Sequence, residues 1–174
     1  MSAPFGPSAR SILLARRWQS RFLERSPKIG KNAMPGFWDS SAIVPLCVPF
    51  ENPGQGRRLL RLHAPVVWWS THAEVIGALC RLKRARVLAE EQYAAAGRRL
   101  ESIWSGWREI QPTNGLRDLA EACLDRHELG VADAFQLAAA LVWCNRKPRN
   151  RTFLCRDLRL RAAARTEGFS IVEL

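Results

Sequence analysis

Several patterns that assign chains of this size to common classes are missing from this sequence. It has five cysteines, an odd number, and no two of them form a CxxC pair; they are Cys47, Cys80, Cys123, Cys144 and Cys155. Neither a disulfide framework nor a zinc site is therefore indicated. The cysteines are expected to act as small apolar side chains in a reducing compartment.

Long apolar runs and clustered histidines are also missing. The longest apolar stretches, such as Ala138–Trp143, are far shorter than the ~20 residues that a membrane span needs. We therefore expect a soluble, cytoplasmic protein. Three histidines occur, His63, His72 and His127, and they are scattered. None is assigned as a base or a metal ligand, although His72 lies two residues before Glu74 and could approach a site there.

Acidic residues are scarce relative to basic ones. The chain has 16 acidic and 27 basic residues, which gives a formal net charge of +11. This excess favours an anionic partner, of which nucleic acid is the commonest. A solvated basic surface is the alternative.

Residues 1–33 differ in composition from the rest of the chain. They carry seven basic side chains and one acid, Glu24, which is +6 of the total +11 and leaves +5 for residues 34–174. An organellar presequence, a disordered basic arm that binds nucleic acid, and an incorrectly assigned start are the possible explanations. We favour a true start at Met34, because Pro-Gly and a strand-like segment follow it at once.

Strands alternate with helices in the remaining 34–174 segment, whose length suits one domain. The predicted strands are Phe37–Asp39, Pro65–Trp69, Trp107–Gln111, Arg151–Cys155 and Phe169–Glu173. The predicted helices are Ser40–Val48, Gly56–His63, Thr71–Lys83, Leu88–Trp104, Leu116–His127, Val131–Cys144 and Leu158–Thr166, the fourth interrupted or bent near Gly97. This alternation predicts an α/β fold with a mainly parallel sheet covered on both faces.

Three of four notable acids stand where a strand ends or a helix begins, and the fourth lies inside a helix that follows a strand. Asp39 ends the first strand, Asp157 follows the fourth, and Glu74 lies inside the helix after the second strand. Asp133 is in the first turn of an alanine-rich helix, on the same face as the apolar Leu137. Helix capping is an alternative role for each aspartate. Functional residues of parallel sheets lie at the carboxyl ends of the strands, so this topology would bring the four acids to that edge of the sheet.

Four carboxylates held close together repel one another when ionised, and a divalent cation relieves that repulsion. Carboxylate oxygens suit hard ions such as Mg²⁺ or Mn²⁺. Acidic metal clusters serve phosphodiester hydrolysis, since one ion activates water and another steadies the leaving oxygen. A basic surface around the acids would hold the nucleic-acid backbone.

The surroundings of the four acids resemble the motifs of PIN domains of the VapC toxin type. The resembling blocks are Phe37–Val44, Val66–Val75, Val131–Ala140 and Thr152–Leu160, in the family's order and spacing. The departures are Ser40, where threonine is commoner, and Cys155, where threonine is frequent. The resemblance extends from Met34 to Leu174 and does not cover residues 1–33.

The resemblance implies a three-layer α/β/α sandwich and an endoribonuclease that depends on Mg²⁺ or Mn²⁺. It makes Asp39, Glu74, Asp133 and Asp157 the metal-binding acids, with Ser41 as a supporting hydroxyl near the first. It also implies a homodimer and, for the VapC branch, a cognate antitoxin that blocks the site. A PIN ribonuclease of RNA processing or decay without an antitoxin, or a non-catalytic RNA-binding PIN module, is the alternative. Such modules have usually lost an acid, and all four are present here.

Two further features permit both a functional and a structural interpretation. Trp68 and Trp69 could stack on bases, although at least one of them is expected in the core. The basic run that ends the third predicted helix is either a rim that faces RNA or a solvated helix end; it comprises Arg81, Lys83, Arg84 and Arg86.

Overall fold

A computed structural model describes residues 28–48, 53–172 and 174, and it contains five strands and seven helices within them. The strands are β1 (Met34–Trp38), β2 (His63–Trp68), β3 (Arg108–Ile110), β4 (Thr152–Leu154) and β5 (Ser170–Val172). The helices are α1 (Ser40–Cys47), α2 (Pro53–Leu62), α3 (Thr71–Arg84), α4 (Glu90–Trp104), α5 (Asn114–Arg126), α6 (Val131–Trp143) and α7 (Leu158–Glu167).

The five strands form one sheet in the order β3-β2-β1-β4-β5, and every pairing is parallel. The central strand β1 pairs with β2 on one side and with β4 on the other. Phe37, for example, lies opposite Val66 and Phe153. Because the chain fills one half of the sheet before it turns to the other, the strand order reverses at β1.

Two apolar cores cover the two faces of this sheet. Successive side chains of β1 point to opposite faces, so Phe37 belongs to one core and Trp38 to the other. The Phe37 core contains residues of α5, α6 and α7, including Leu116 and Leu137. The Trp38 core contains residues of the first four helices. The predicted three-layer α/β/α sandwich with a parallel central sheet is thus confirmed.

The main departure from the predicted elements is in α4, which continues through Gly97 without a break from Glu90 to Trp104. Buried side chains flank the glycine on both sides, among them Ala96 and Leu100. Packing of these side chains outweighs the cost of about 1 kcal/mol that a glycine imposes on a helix interior. The predicted interruption near Gly97 was therefore wrong, and the alternative of a bend there stays a prediction.

The segment before β1 contacts α2. The backbone N–H of Gly30 donates to the carbonyl of Leu60 at 3.2 Å. The division at residue 33 stays a prediction, and residues 1–27 lie outside the described residues. Across the described ranges, no helix combines the length and apolarity that crossing a bilayer would require.

Candidate active site

The candidate site lies at the carboxyl edge of the sheet, where the strand order reverses. Such an edge leaves a crevice between connections that run in opposite directions, and ligands of α/β proteins bind there. Asp39 follows β1 directly, and its backbone N–H donates to the carbonyl of Leu154 at the end of β4. Asp39 therefore lies at the middle of this edge, at the end of the central strand.

Asp39 is a buried carboxylate, with 4% of its surface exposed. It caps α1, because its Oδ2 accepts a hydrogen bond from the Ser41 backbone N–H at 2.9 Å. Burial raises the pKa of Asp39, the hydrogen bonds from Ser41 oppose this rise, and the negative charge of Glu74 adds to it. The predicted capping role is therefore confirmed, and the Glu74 carboxylate is close enough to affect the pKa of Asp39.

Ser41 connects the start of α1 to the loop after β4. Its Oγ accepts a hydrogen bond from the backbone N–H of Arg156 at 2.8 Å. Its Oγ also lies 3.7 Å from the Sγ of Cys155, and that sulfur is 3.6 Å from Oδ2 of Asp39. Burial, and then the charge of Asp39, raise the pKa of the Cys155 thiol, so this thiol stays protonated.

Glu74 is held by two side chains from different elements. Ser70 Oγ donates to its Oε1 at 2.6 Å, and Gln136 Nε2 donates to its Oε2 at 2.9 Å. Gln136 is completely buried, and its Nε2 also donates to Thr71 Oγ1 at 3.1 Å. Gln136 was not among the residues predicted from the sequence. The available signal was an amide within an otherwise apolar helix, one turn after Asp133.

Asp133 and Asp157 form the other half of the acidic group. Asp157 caps α7, with its Oδ1 accepting from the Leu160 backbone N–H at 2.8 Å. Asp133 stands in the first turn of α6, whose N-cap is Gly130, so it does not fill that cap. Burial, and then the charges of Asp157 and Glu74, raise the pKa of Asp133. Electrostatic coupling thus links all four acids through Glu74 and Asp133.

A cleft of about 740 Å³ opens at this edge. Glu74 and Asp133 line it together with Ser41 and two arginines, Arg81 and Arg156; Asp39 and Asp157 are not among the lining residues. Within the described ranges, no three or more His, Cys, Asp or Glu side chains converge as a ready metal site. The oxygen donors and their mutual repulsion nevertheless suit a hard divalent cation. The ligand set stays a prediction.

Other residues singled out by sequence have separate outcomes. His72 Nε2 lies 3.0 Å from Oε1 of Glu101 on α4, so it pairs away from the acidic group. In the basic run, Arg81 lines the cleft, whereas Lys83 pairs with Glu90 at 2.8 Å. The cleft thus receives one cation from the run.

Comparison with known proteins gives structural likeness only. No protein-family model matches the sequence, and a search of curated proteins found no match. Several solved structures resemble the fold, among them the following three. FitAcB from Neisseria gonorrhoeae matches with a TM-score of 0.59 and 18% identity, covering 79% of this chain and 96% of that one. VapC20, a sarcin-ricin loop cleaving toxin from Mycobacterium tuberculosis, matches with a TM-score of 0.55 and 22% identity, covering 79% and 98%.

A toxin–antitoxin complex from Klebsiella pneumoniae matches with a TM-score of 0.50 and 15% identity, covering 70% of this chain and 86% of that one. Each likeness falls below 25% identity and therefore concerns the backbone architecture. The parallel five-stranded sheet and its two helical layers agree with the architecture implied by the four sequence blocks. This chain has the fold of the VapC-type PIN proteins.

Proposed function

We propose that this chain is a metal-dependent endoribonuclease that acts as the toxin of a type II toxin–antitoxin pair. The observation that carries the proposal is the make-up of the cleft. Glu74 and Asp133 line it beside Arg81 and Arg156, so acidic and basic groups face the same space. A phosphodiester needs both, because the arginines bind the anionic backbone and the acids serve hydrolysis.

The acids would hold Mg²⁺ or Mn²⁺, with Asp39, Glu74 and Asp133 as principal ligands and Asp157 completing the site. When bound, such an ion supplies a water of lowered pKa and offsets the charge that builds on the phosphate. Ser70 and Gln136 fix the orientation of Glu74, since each donates to one of its two oxygens. Ser41, anchored by the Arg156 backbone, keeps the loop after β4 against α1.

Arg81 and Arg156 are suited to position the scissile phosphate. A guanidinium binds phosphate oxygens through two parallel hydrogen bonds, which fixes orientation as well as charge. Arg81 comes from α3, which also carries Glu74, and Arg156 comes from the loop that reaches Asp157. Each cation is thus supplied by a segment that also supplies an acid.

The decisive test is cleavage of single-stranded or looped RNA by Asp133→Asn. This change keeps the size and removes the charge, so we expect a normal circular dichroism spectrum and a loss of cleavage by orders of magnitude. Asp125→Asn is the matched control, because Asp125 is an exposed acid on α5 and is not among the lining residues of the cleft. Cleavage should stop in EDTA and return with Mg²⁺ or Mn²⁺. Undiminished cleavage by Asp133→Asn, or full activity in excess EDTA, would refute the assignment.

The antitoxin part of the proposal has its own test. A group of four carboxylates is a natural seat for an arginine or lysine that a partner inserts across the cleft. The VapC20 and Klebsiella pneumoniae structures, described as a toxin and a toxin–antitoxin complex, favour such a partner. Co-expression with a neighbouring small gene, followed by pull-down, should recover a complex. No bound partner and no growth arrest on expression alone would favour a ribonuclease of RNA processing or decay.

A further inference from the structure

A second, smaller cleft is lined in part by Trp69, which directly precedes Ser70 of the acidic cleft. Its volume is about 350 Å³, and three aromatic side chains, Trp68, Trp69 and Phe135, contribute to its lining. The other lining residues come from the segment that connects β3 to α5 and from α5 itself; they include Thr113, Asn114 and Arg117. None of these residues has a role in the function proposed above.

The three aromatic rings divide into a stacked pair, of which Trp68 is buried and Phe135 partly buried, and an exposed ring. Trp68 is 6% exposed and stacks on Phe135, with ring centroids 5.8 Å apart and planes 5° from parallel. Trp69 meets Trp68 edge to face at 6.4 Å and is 54% exposed. The stacked rings of Trp68 and Phe135 therefore support Trp69 from one side, and the indole of Trp69 is exposed to solvent. Of the two tryptophans singled out by sequence, one is core and the other is exposed.

The polar lining complements an unpaired base rather than a purely apolar group. Asn114 carries both a donor and an acceptor, as base edges require. Arg117 adds a positive charge, although it lies 3.9 Å from carboxylate oxygens of Asp118 and Glu121. Thr113 Oγ1 caps α5 by accepting from the Leu116 backbone N–H, and its hydroxyl hydrogen remains able to donate. Aromatic faces beside a cation are the usual elements of single-strand recognition.

The chain ties this aromatic cleft to the acidic one at two points. Trp69 directly precedes Ser70, which holds Glu74, and Phe135 directly precedes Gln136, which holds the same carboxylate. The two clefts are thus lined by neighbouring residues of the same segments, so the nucleotide next to one held in the acidic cleft is the expected occupant of the aromatic cleft. We propose that this aromatic cleft binds one unpaired nucleobase of the RNA substrate by stacking on Trp69. This proposal rests on the proposed function, and it names Trp69 as a residue that contacts the RNA substrate.

The experiment measures binding of a short single-stranded RNA in EDTA, where cleavage does not interfere. Trp69→Leu keeps an apolar side chain but removes the stacking face, and we expect affinity to fall about tenfold, within the range found when stacking aromatics are removed. Trp69→Phe should retain most of the affinity. The matched control is Leu62→Ala, because Leu62 is 51% exposed and precedes the opposite end of β2.

A second series locates the base. RNAs in which one nucleotide at a time lacks its base should show one position whose loss weakens binding to the native chain but not to Trp69→Leu. Equal affinity of native and Trp69→Leu chains overturns the proposal, and so does an identical abasic profile in both. If Trp69→Leu binds RNA normally but no longer binds a co-expressed antitoxin, the cleft belongs to that protein partner and the inference is wrong. A native chain that neither binds nor cleaves RNA refutes the proposed function as well.

Discussion

At the scale of single residues, Glu74 depends on a side chain that lies far from it in sequence. Gln136 contributes an amide from α6, and it shares that amide between Glu74 and Thr71. Both Thr71 and Gln136 are completely buried. A buried hydrogen bond to a carboxylate fixes one orientation, since a rotated carboxylate would leave the amide without its acceptor.

We expect Gln136→Leu to reduce RNA cleavage at least tenfold while the chain remains folded, because Glu74 would lose the donor to Oε2. Thr71→Val is the matched control, since it removes the other bond of the same amide and leaves Gln136 in contact with Glu74. Each variant should lower the free energy of unfolding by roughly 1 to 3 kcal/mol. Urea denaturation measures stability, and initial rates measure cleavage. Equal losses of cleavage in both variants would show that Gln136 acts through stability alone.

The four acids could be singled out from sequence because three stand at a strand end or helix start and Glu74 lies in the helix after a strand, and their role as a site stays a prediction. Gln136 could not be singled out in this way, because its amide contacts Glu74 only when α6 packs against the start of α3. The capping alternatives for Asp39 and Asp157 were also correct, as both accept backbone N–H bonds. A carboxylate has two oxygens, so capping with one leaves the other available.

At the scale of elements, two glycines differ in backbone conformation: Gly97 lies inside α4, and Gly168 directly follows α7. Gly97 lies within α4 in ordinary helical conformation, and a Cβ built on it would meet nothing within 4 Å. Gly168 ends α7 with φ of +104°, a left-handed conformation that side chains with a Cβ rarely adopt. The same chemical change should therefore stabilise one helix and strain the other.

Gly97→Ala should raise the free energy of unfolding by about 0.4 to 1 kcal/mol, because alanine restricts the unfolded chain and fits the helix. Gly168→Ala should lower it, because the substituted residue would be forced to keep a positive φ. Thermal melts followed by circular dichroism compare the two variants with the native chain. A lower melting temperature for Gly97→Ala would contradict the unbroken α4.

The type of each element could be predicted for this chain. The element boundaries and the continuity of α4 through Gly97 were harder to predict. The apolar run in β2 and the periodic α6 carry strong local patterns, and both were predicted within about two residues, the usual error of such boundaries. β1 begins at Met34 rather than Phe37, since pairing of Met34 with His63 extends it. That pairing, like the packing around the continuous helix at Gly97, arises from contacts distant in sequence.

At the scale of the whole molecule, the segment before β1 bears on where the folded domain begins. Gly30 lies against α2, and a Cβ built on it would clash with the Arg61 carbonyl oxygen. Part of the predicted N-terminal extension thus contacts the domain. This contact precedes the amino end of β1, at the edge of the sheet opposite to the acidic cleft. Homodimerisation and cytoplasmic location also remain predictions.

We expect a chain that starts at Met34 to fold and to cleave RNA at the native rate. It should be less stable than a chain that starts at Lys28 by about 1 kcal/mol, because it loses the hydrogen bond from Gly30 to Leu60. Urea denaturation of both truncated chains, beside the full chain, gives the comparison. An unfolded Met34 chain would show that residues 28–33 belong to the domain, and loss of cleavage in a folded one would place them in the active site.

The strand order has a consequence for when the proposed activity can arise during synthesis. The central strand β1 is made early, but its neighbour β4 and the acid Asp157 come near the end of the chain. Ser41 likewise receives its hydrogen bond from Arg156, which is made late. A growing chain that stops before β4 has β1 paired on one side only and lacks one of the four acids. The order in which the ribosome makes this protein therefore delays the complete site until almost the whole chain exists.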